Sequence, residues 1–152
     1  MACVQRMGYL QASGATPSFW LGVQGESHAA PVPEAARMVL HVLNMSEREL
    51  EECLENPQGR HKALSLGDQL GIVTSFLWLL DQKSASLEGG LNGHTLEDDI
   101  AILEQGSGAL PASLWSCVLY RARQKRCVRG YKKVASAELD KIIAAMNEQR
   151  SV

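Results

Sequence analysis

The stretch SLGDQLGIVTSFLWLLDQKS, residues 65–84, decides the fold class. Ser65 stands three residues ahead of Asp68, the spacing at which a serine hydroxyl caps a helix and an acid reaches back to the cap. Behind it, Leu66, Leu70, Val73, Leu77 and Leu80 recur with the helical period, and Ile72, Phe76 and Leu79 form a second stripe beside them. The apolar arc is therefore broad, as expected of a helix packed on two sides. The most apolar run, Leu70–Leu80, is eleven residues, about half of the roughly 20 needed to span a bilayer, so the segment reads as a core helix and not as a membrane anchor. Gly67 and Gly71 lie four apart within it, tolerable where another backbone packs closely.

Toward the N-terminus, Ala35, Met38, Val39, Val42, Met45, Leu50, Cys53 and Leu54 keep the same period from Pro33 to the stop at Asn56-Pro57. The reading is one helix to Asn56, with Asn44–Ser46 as the place where it can break, because Ser46 and Glu49 form a second capping-box sequence. Residues 1–32 contain Gly8, Gly14, Gly22 and Gly25 without a helical period and read as an irregular arm. Its apolar patch, Phe19, Trp20, Leu21 and Val23, is expected to dock on the core.

Toward the C-terminus, a Gly-rich connector precedes Thr95, which is expected to cap a short helix with Glu97, Asp98 and Asp99 in its first turn, where acids suit the helix dipole. Gly106 to Gly108 ends it and Pro111 opens the next, with Leu114, Cys117, Val118 and Ala122 facing inward. Gly130 is expected to close that helix, and a final one from about Ser136 should bury Leu139, Ile142, Ile143 and Met146. Strand signals are nearly absent. The expected architecture is an all-α bundle of five or six helices: an irregular arm over 1–32, then a single helical domain over 33–152. Trp78 and Trp115 are expected in the core.

The chain has 152 residues and a formal net charge of −2, which argues against a general polyanion binder. Charge is nevertheless concentrated. Seven of the 15 Lys and Arg fall between Arg121 and Lys133 (Arg121, Arg123, Lys125, Arg126, Arg129, Lys132 and Lys133), with no acid among them. Glu47, Glu49, Glu51, Glu52 and Glu55 form an opposing block. Arg121, Lys125 and Arg129 recur at i, i+4, i+8, widened by Arg123 and Arg126; Glu47, Glu51 and Glu55 share that pitch. Like charges at this spacing destabilise an isolated helix by a few tenths of a kcal/mol per pair unless something opposite faces them. The two stripes are therefore expected to meet each other, within the bundle or across a homodimer, or to meet charged patches on another protein.

Patterns that a reaction or a metal would need are missing. Cys3, Cys53, Cys117 and Cys127 form no CxxC pair and have no histidine at a zinc interval. GGLNGH, residues 89–94, follows a helix instead of a strand and opens onto three carboxylates that would repel phosphate. Adjacent acids such as Asp98 and Asp99 diverge by about 100° on a helix and do not converge on one atom. The four histidines are scattered, and no GxSxG or HExxH occurs. Gly, Ser and Pro interrupt any apolar run after Arg6, so no secretory leader is read, and the thiols are expected to be reduced in a cytoplasmic protein.

The resulting expectation is a small non-enzymatic regulatory protein that works by protein–protein interaction, as an antiactivator, inhibitor, adaptor or immunity-type factor, with a homodimer as one arrangement. It takes no cofactor, metal, membrane or small-molecule substrate. Its expected contact residues are Arg121, Lys125, Arg126, Arg129, Glu47, Glu51, Glu55, Phe19 and Trp20, aromatic and Arg side chains being the types enriched at hot spots. The alternative is a small nucleic-acid-binding regulator using residues 121–133 to neutralise phosphates. Against it, the N-terminal half of that helix, which would have to read bases, is almost wholly apolar.

Overall fold

The computed structural model describes residues 2–12, 32–55, 64–89 and 93–150. They form an all-α bundle of six helices: α1 (Ala2–Ala12), α2 (Glu34–Asn44), α3 (Glu47–Glu55), α4 (Leu66–Glu88), α5 (Leu96–Glu104) and α6 (Ala112–Arg150).

Helix α4 begins where its capping box places it. The Ser65 Oγ accepts from the Asp68 backbone N–H at 3.1 Å, and Asp68 Oδ2 accepts from the Ser65 N–H at 2.9 Å. Two of the helix's orphan donors are thereby satisfied. Ser65→Ala should cost about 1 kcal/mol, and Ser65→Asp, which keeps an acceptor, much less. A urea titration should show this as a lower midpoint at unchanged slope.

The main core lies where α2, α4 and α6 meet. Ile72, Val73, Phe76 and Leu80 of α4 are buried against Ala36 and Leu40 of α2 and Val128, Tyr131, Ala135 and Ile142 of α6. The buried line of α4 thus runs between the two expected stripes, taking residues from each. Leu79 is left at the surface, and Trp78, expected in the core, is 60% exposed. Two flanking helices cover a narrower arc than the apolar residues of α4 could fill. Gly71 meets the Asn44 side chain of α2 in ordinary contact, and Asn44 Nδ2 donates to Ser75 Oγ at 3.1 Å one turn further on. Arg37 of α2 pairs with Glu138 of α6, and Lys132 of α6 with Asp81 of α4 at 2.6 Å.

Three expectations about the helices themselves are corrected. The segment from Pro33 to Glu55, expected as one helix, is two. Met45 takes extended backbone (φ −56°, ψ 142°), and the Ser46–Glu49 capping box restarts the chain as α3. The corner lets Met45 and Leu50 bury with Val39 and Val42 in a second, smaller core. The first residues of the arm are not irregular: α1 supplies Tyr9 and Leu10 to that second core, and Arg6 Nη2 donates to the Met45 carbonyl at 2.7 Å, a cation placed at the α2 C-terminus. Eleven residues containing Gly8 are marginal as an isolated helix, so the packing holds α1 in place. Phe19 and Trp20 lie outside the described residues.

The third correction is α6, a single 39-residue helix, roughly 58 Å long. Gly130 does not end it, and no new helix starts at Ser136. A terminating glycine takes a left-handed conformation; among the described residues only Gly93 and Gly106 have positive φ, and Gly106, at +89°, follows the end of α5. Val128, Tyr131, Ala135 and Ile142 bury on both sides of Gly130 at unbroken helical spacing. That burial offsets the ~1 kcal/mol a helix-interior glycine costs against alanine. A Cβ at Gly130 would meet nothing within 4 Å.

Candidate interaction surfaces

The first turn of α5 holds three acids, and the fold gives each a different task. Asp98 completes the N-terminal capping box: its Oδ2 accepts from the Thr95 N–H at 2.8 Å while Thr95 Oγ1 accepts from the Asp98 N–H. Its carboxyl sits below the usual range because of those bonds to Thr95. Glu97 points along the surface to Arg129, at 2.7 Å, with both side chains more than half exposed. Asp99, one helical step on, turns inward and is fully buried.

Asp99 is held by two cations of α6. Arg121 Nε donates to both carboxylate oxygens at 2.9 Å, and Arg121 Nη2 donates again to Oδ1. Lys125 Nζ donates to Oδ2 at 2.8 Å, to the Thr95 carbonyl at 3.2 Å and to the His94 carbonyl. All three ammonium protons are thereby satisfied, which a lysine with a 2% exposed side chain requires. Burial pushes the Asp99 carboxyl up, but hydrogen bonds from Arg121 and Lys125, with their charges, outweigh it and hold it below its ordinary value. The same contact raises the Arg121 guanidinium. This cluster locks α5 onto α6.

The expected stripe of Arg121, Lys125 and Arg129 therefore exists on α6 but faces α5. It is neutralised by Asp99 and Glu97, and not by Glu47, Glu51 and Glu55 of the same chain. Lys125, expected at a partner contact, is too deeply buried to touch one. The acids of α5 were visible in the sequence, but only as helix-dipole complements. What the sequence does not carry is the path of α5, a nine-residue helix that folds back along α6 and brings its first-turn acids to residues 121–129.

Other charges remain outside. Arg123, Arg126 and Lys133 are exposed and make no ion pair among the described residues. Glu47, Glu51 and Glu55 line the outside of α3, equally without a cation there, while their neighbours Arg48 and Glu52 pair with each other at 3.0 Å. Large apolar side chains also reach the surface: Leu54 of α3, Trp78 and Leu79 of α4, and Leu114 and Tyr120 of α6. Trp115 is half-buried. Cys53 and Cys117 are free thiols. Among the described residues, no three His, Cys, Asp or Glu side chains converge into a metal-binding group, and no helix is long and apolar enough to cross a membrane.

In comparisons with protein-family models, with curated proteins and with solved structures, nothing matched this chain.

Proposed function

We propose that this is a small non-enzymatic regulatory protein of the cytoplasm that acts by binding another protein through its helix faces. The observation that carries the reading is the fate of the basic segment. Of its seven cations, Arg121, Lys125, Arg129 and Lys132 are each paired with an acid of the same chain. What is left is not a basic surface but three cations on α6 set against three acids on α3, accompanied by exposed apolar and aromatic side chains. Such a mixture favours a protein partner, where charge provides steering and register and buried aromatics provide affinity. A phosphate backbone would need the cations alone.

Capture of the tagged protein from a lysate of its source, with and without nuclease, tests this. A defined protein retained after nuclease and lost with Trp78→Ala supports the reading. Trp78→Ala should leave stability within about 0.5 kcal/mol, because its ring is mostly in solvent. Recovery that disappears with nuclease, together with nucleic-acid affinity falling steeply with salt, would establish the alternative, a nucleic-acid-binding regulator using Arg123, Arg126 and Lys133.

A further inference from the structure

Two charged faces of opposite sign, unpaired among the described residues, sit on helices with no major contact to each other. The principal helix contacts run α3 to α1, α1 to α2, α2 to α4, α4 to α6 and α6 to α5. The acids of α3 and the outer cations of α6 therefore belong to separate parts of the bundle. Glu47 to Glu55 is eight residue steps, about 12 Å of helix, and Arg123 to Lys133 is ten, about 15 Å. The lengths are comparable and the signs opposite.

The shapes match too. Gly130 lies four residues after Arg126 and three before Lys133, on the face that carries both. A Cβ there would meet nothing within 4 Å among the described residues, so none of them accounts for a glycine in the middle of this helix. Ala137 and Ala144 are exposed and continue the position at seven-residue intervals. The result is a shallow seam of small residues flanked by cations, the kind of surface that lets a second helix approach closely. On α3, Leu54 is 41% exposed, seven residues after Glu47 and three after Glu51, so it stands on the acidic face.

We propose that the partner of this surface is a second copy of the same chain: α3 of one copy lies along the outer face of α6 of the other, with Leu54 over Gly130 and the glutamates against Arg123, Arg126 and Lys133. This rests on the protein-binding reading above and names its partner. Made reciprocally about a two-fold axis, the contact closes into a dimer.

Sedimentation velocity over a range of concentrations and salt tests it. The wild type should associate at low salt and dissociate as salt rises. Glu51→Lys and Arg126→Glu should each weaken association by about tenfold or more, since like charges then face each other. An equimolar mixture of these two variants should recover a complex near wild-type strength, because each reversed charge meets its complement. Gly130→Leu should also weaken association while leaving the helical signal and melting temperature of the monomer intact, which separates a blocked seam from a damaged fold. A wild type that stays monomeric at low salt, or a mixture that fails to recover association, overturns the self-contact. If the wild type is monomeric but captures a different protein in a manner lost with Glu51→Lys, self-association fails and the protein-binding reading stands. If it is monomeric and captures no protein, both fail.

Discussion

Replacing Asp99 by alanine should lower stability by about 3–5 kcal/mol, the range seen when one member of a buried ion cluster is removed. The carboxylate is fully buried, and the Lys125 side chain beside it is 2% exposed. Without Asp99, the ammonium keeps its bonds to the carbonyls of residues 94 and 95 but loses its counter-charge in a site that water does not reach. Arg121, whose side chain is about one-third exposed, can turn partly to water, so the cost falls mainly on Lys125. Against a total stability of about 5–15 kcal/mol for a typical domain, this loss should loosen α5 from α6 or unfold the protein. Replacing the pair together, Asp99→Leu with Lys125→Met, should recover much of the loss, since apolar replacements of buried ion pairs are often neutral or stabilising. Chemical denaturation of the three proteins decides the matter: a loss below about 1 kcal/mol for Asp99→Ala would mean that the cluster does not hold α5 in place.

The same residue sets an acid limit. Because the folded-state pKa of Asp99 is depressed, its contribution is complete above the unfolded value of about 3.9 and is lost as pH falls through the lower folded value. The stability gap between wild type and Asp99→Asn should therefore be constant near neutrality and shrink below about pH 4.

Phe76→Ala should have a comparable effect, about 3–5 kcal/mol. Phe76 is fully buried in the middle of α4, with its ring edge-to-face against Tyr131 of α6 at a centroid distance of 6.2 Å and 86° between planes. Truncation leaves a cavity among α2, α4 and α6 and removes the aromatic pair, itself worth about 0.5–1.5 kcal/mol. Tyr131 directly follows Gly130, so this contact also helps carry α6 through its weakest point. Phe76→Leu should lose less than Phe76→Ala, because most of the volume remains. The contrast with Trp78→Ala, two residues along the same helix and nearly without effect on stability, is measurable in one set of thermal melts.

That contrast marks where sequence reasoning stops. The periodicity of α4 declares a helix with a wide apolar arc, but Phe76 and Trp78 are equally good core candidates until the flanking helices are placed. The caps at Ser65 and Thr95 were legible because a capping box is local: both partners lie within four residues, and their hydrogen bonds need no tertiary contact. At Ser46 the same motif was equally legible, and giving it less weight than the apolar period produced one helix where there are two. Gly130 misled in the opposite direction. Local propensity favours a stop there, and burial of Tyr131 and Ala135 against α4 overrides it.

The candidate surface divides in the same way. Seven cations and five glutamates in two short blocks are plain in the composition, as is the shared pitch of their stripes. Which of them face outward depends on how α5 folds back on α6, a long-range event that no local pattern encodes. It withdrew Arg121 and Lys125 into a cluster with Asp99 and left Arg123, Arg126 and Lys133 outside.

The sequence by itself determined the helical class, most of the helix starts and the existence of two opposite fields, because periodicity, caps and charge are properties of neighbouring residues. Only the tertiary structure decided which faces are buried, that α6 is continuous, and which charges neutralise each other within the chain. Those outcomes depend on competition among helices for the same apolar area and the same counter-charges, and that competition is settled by packing.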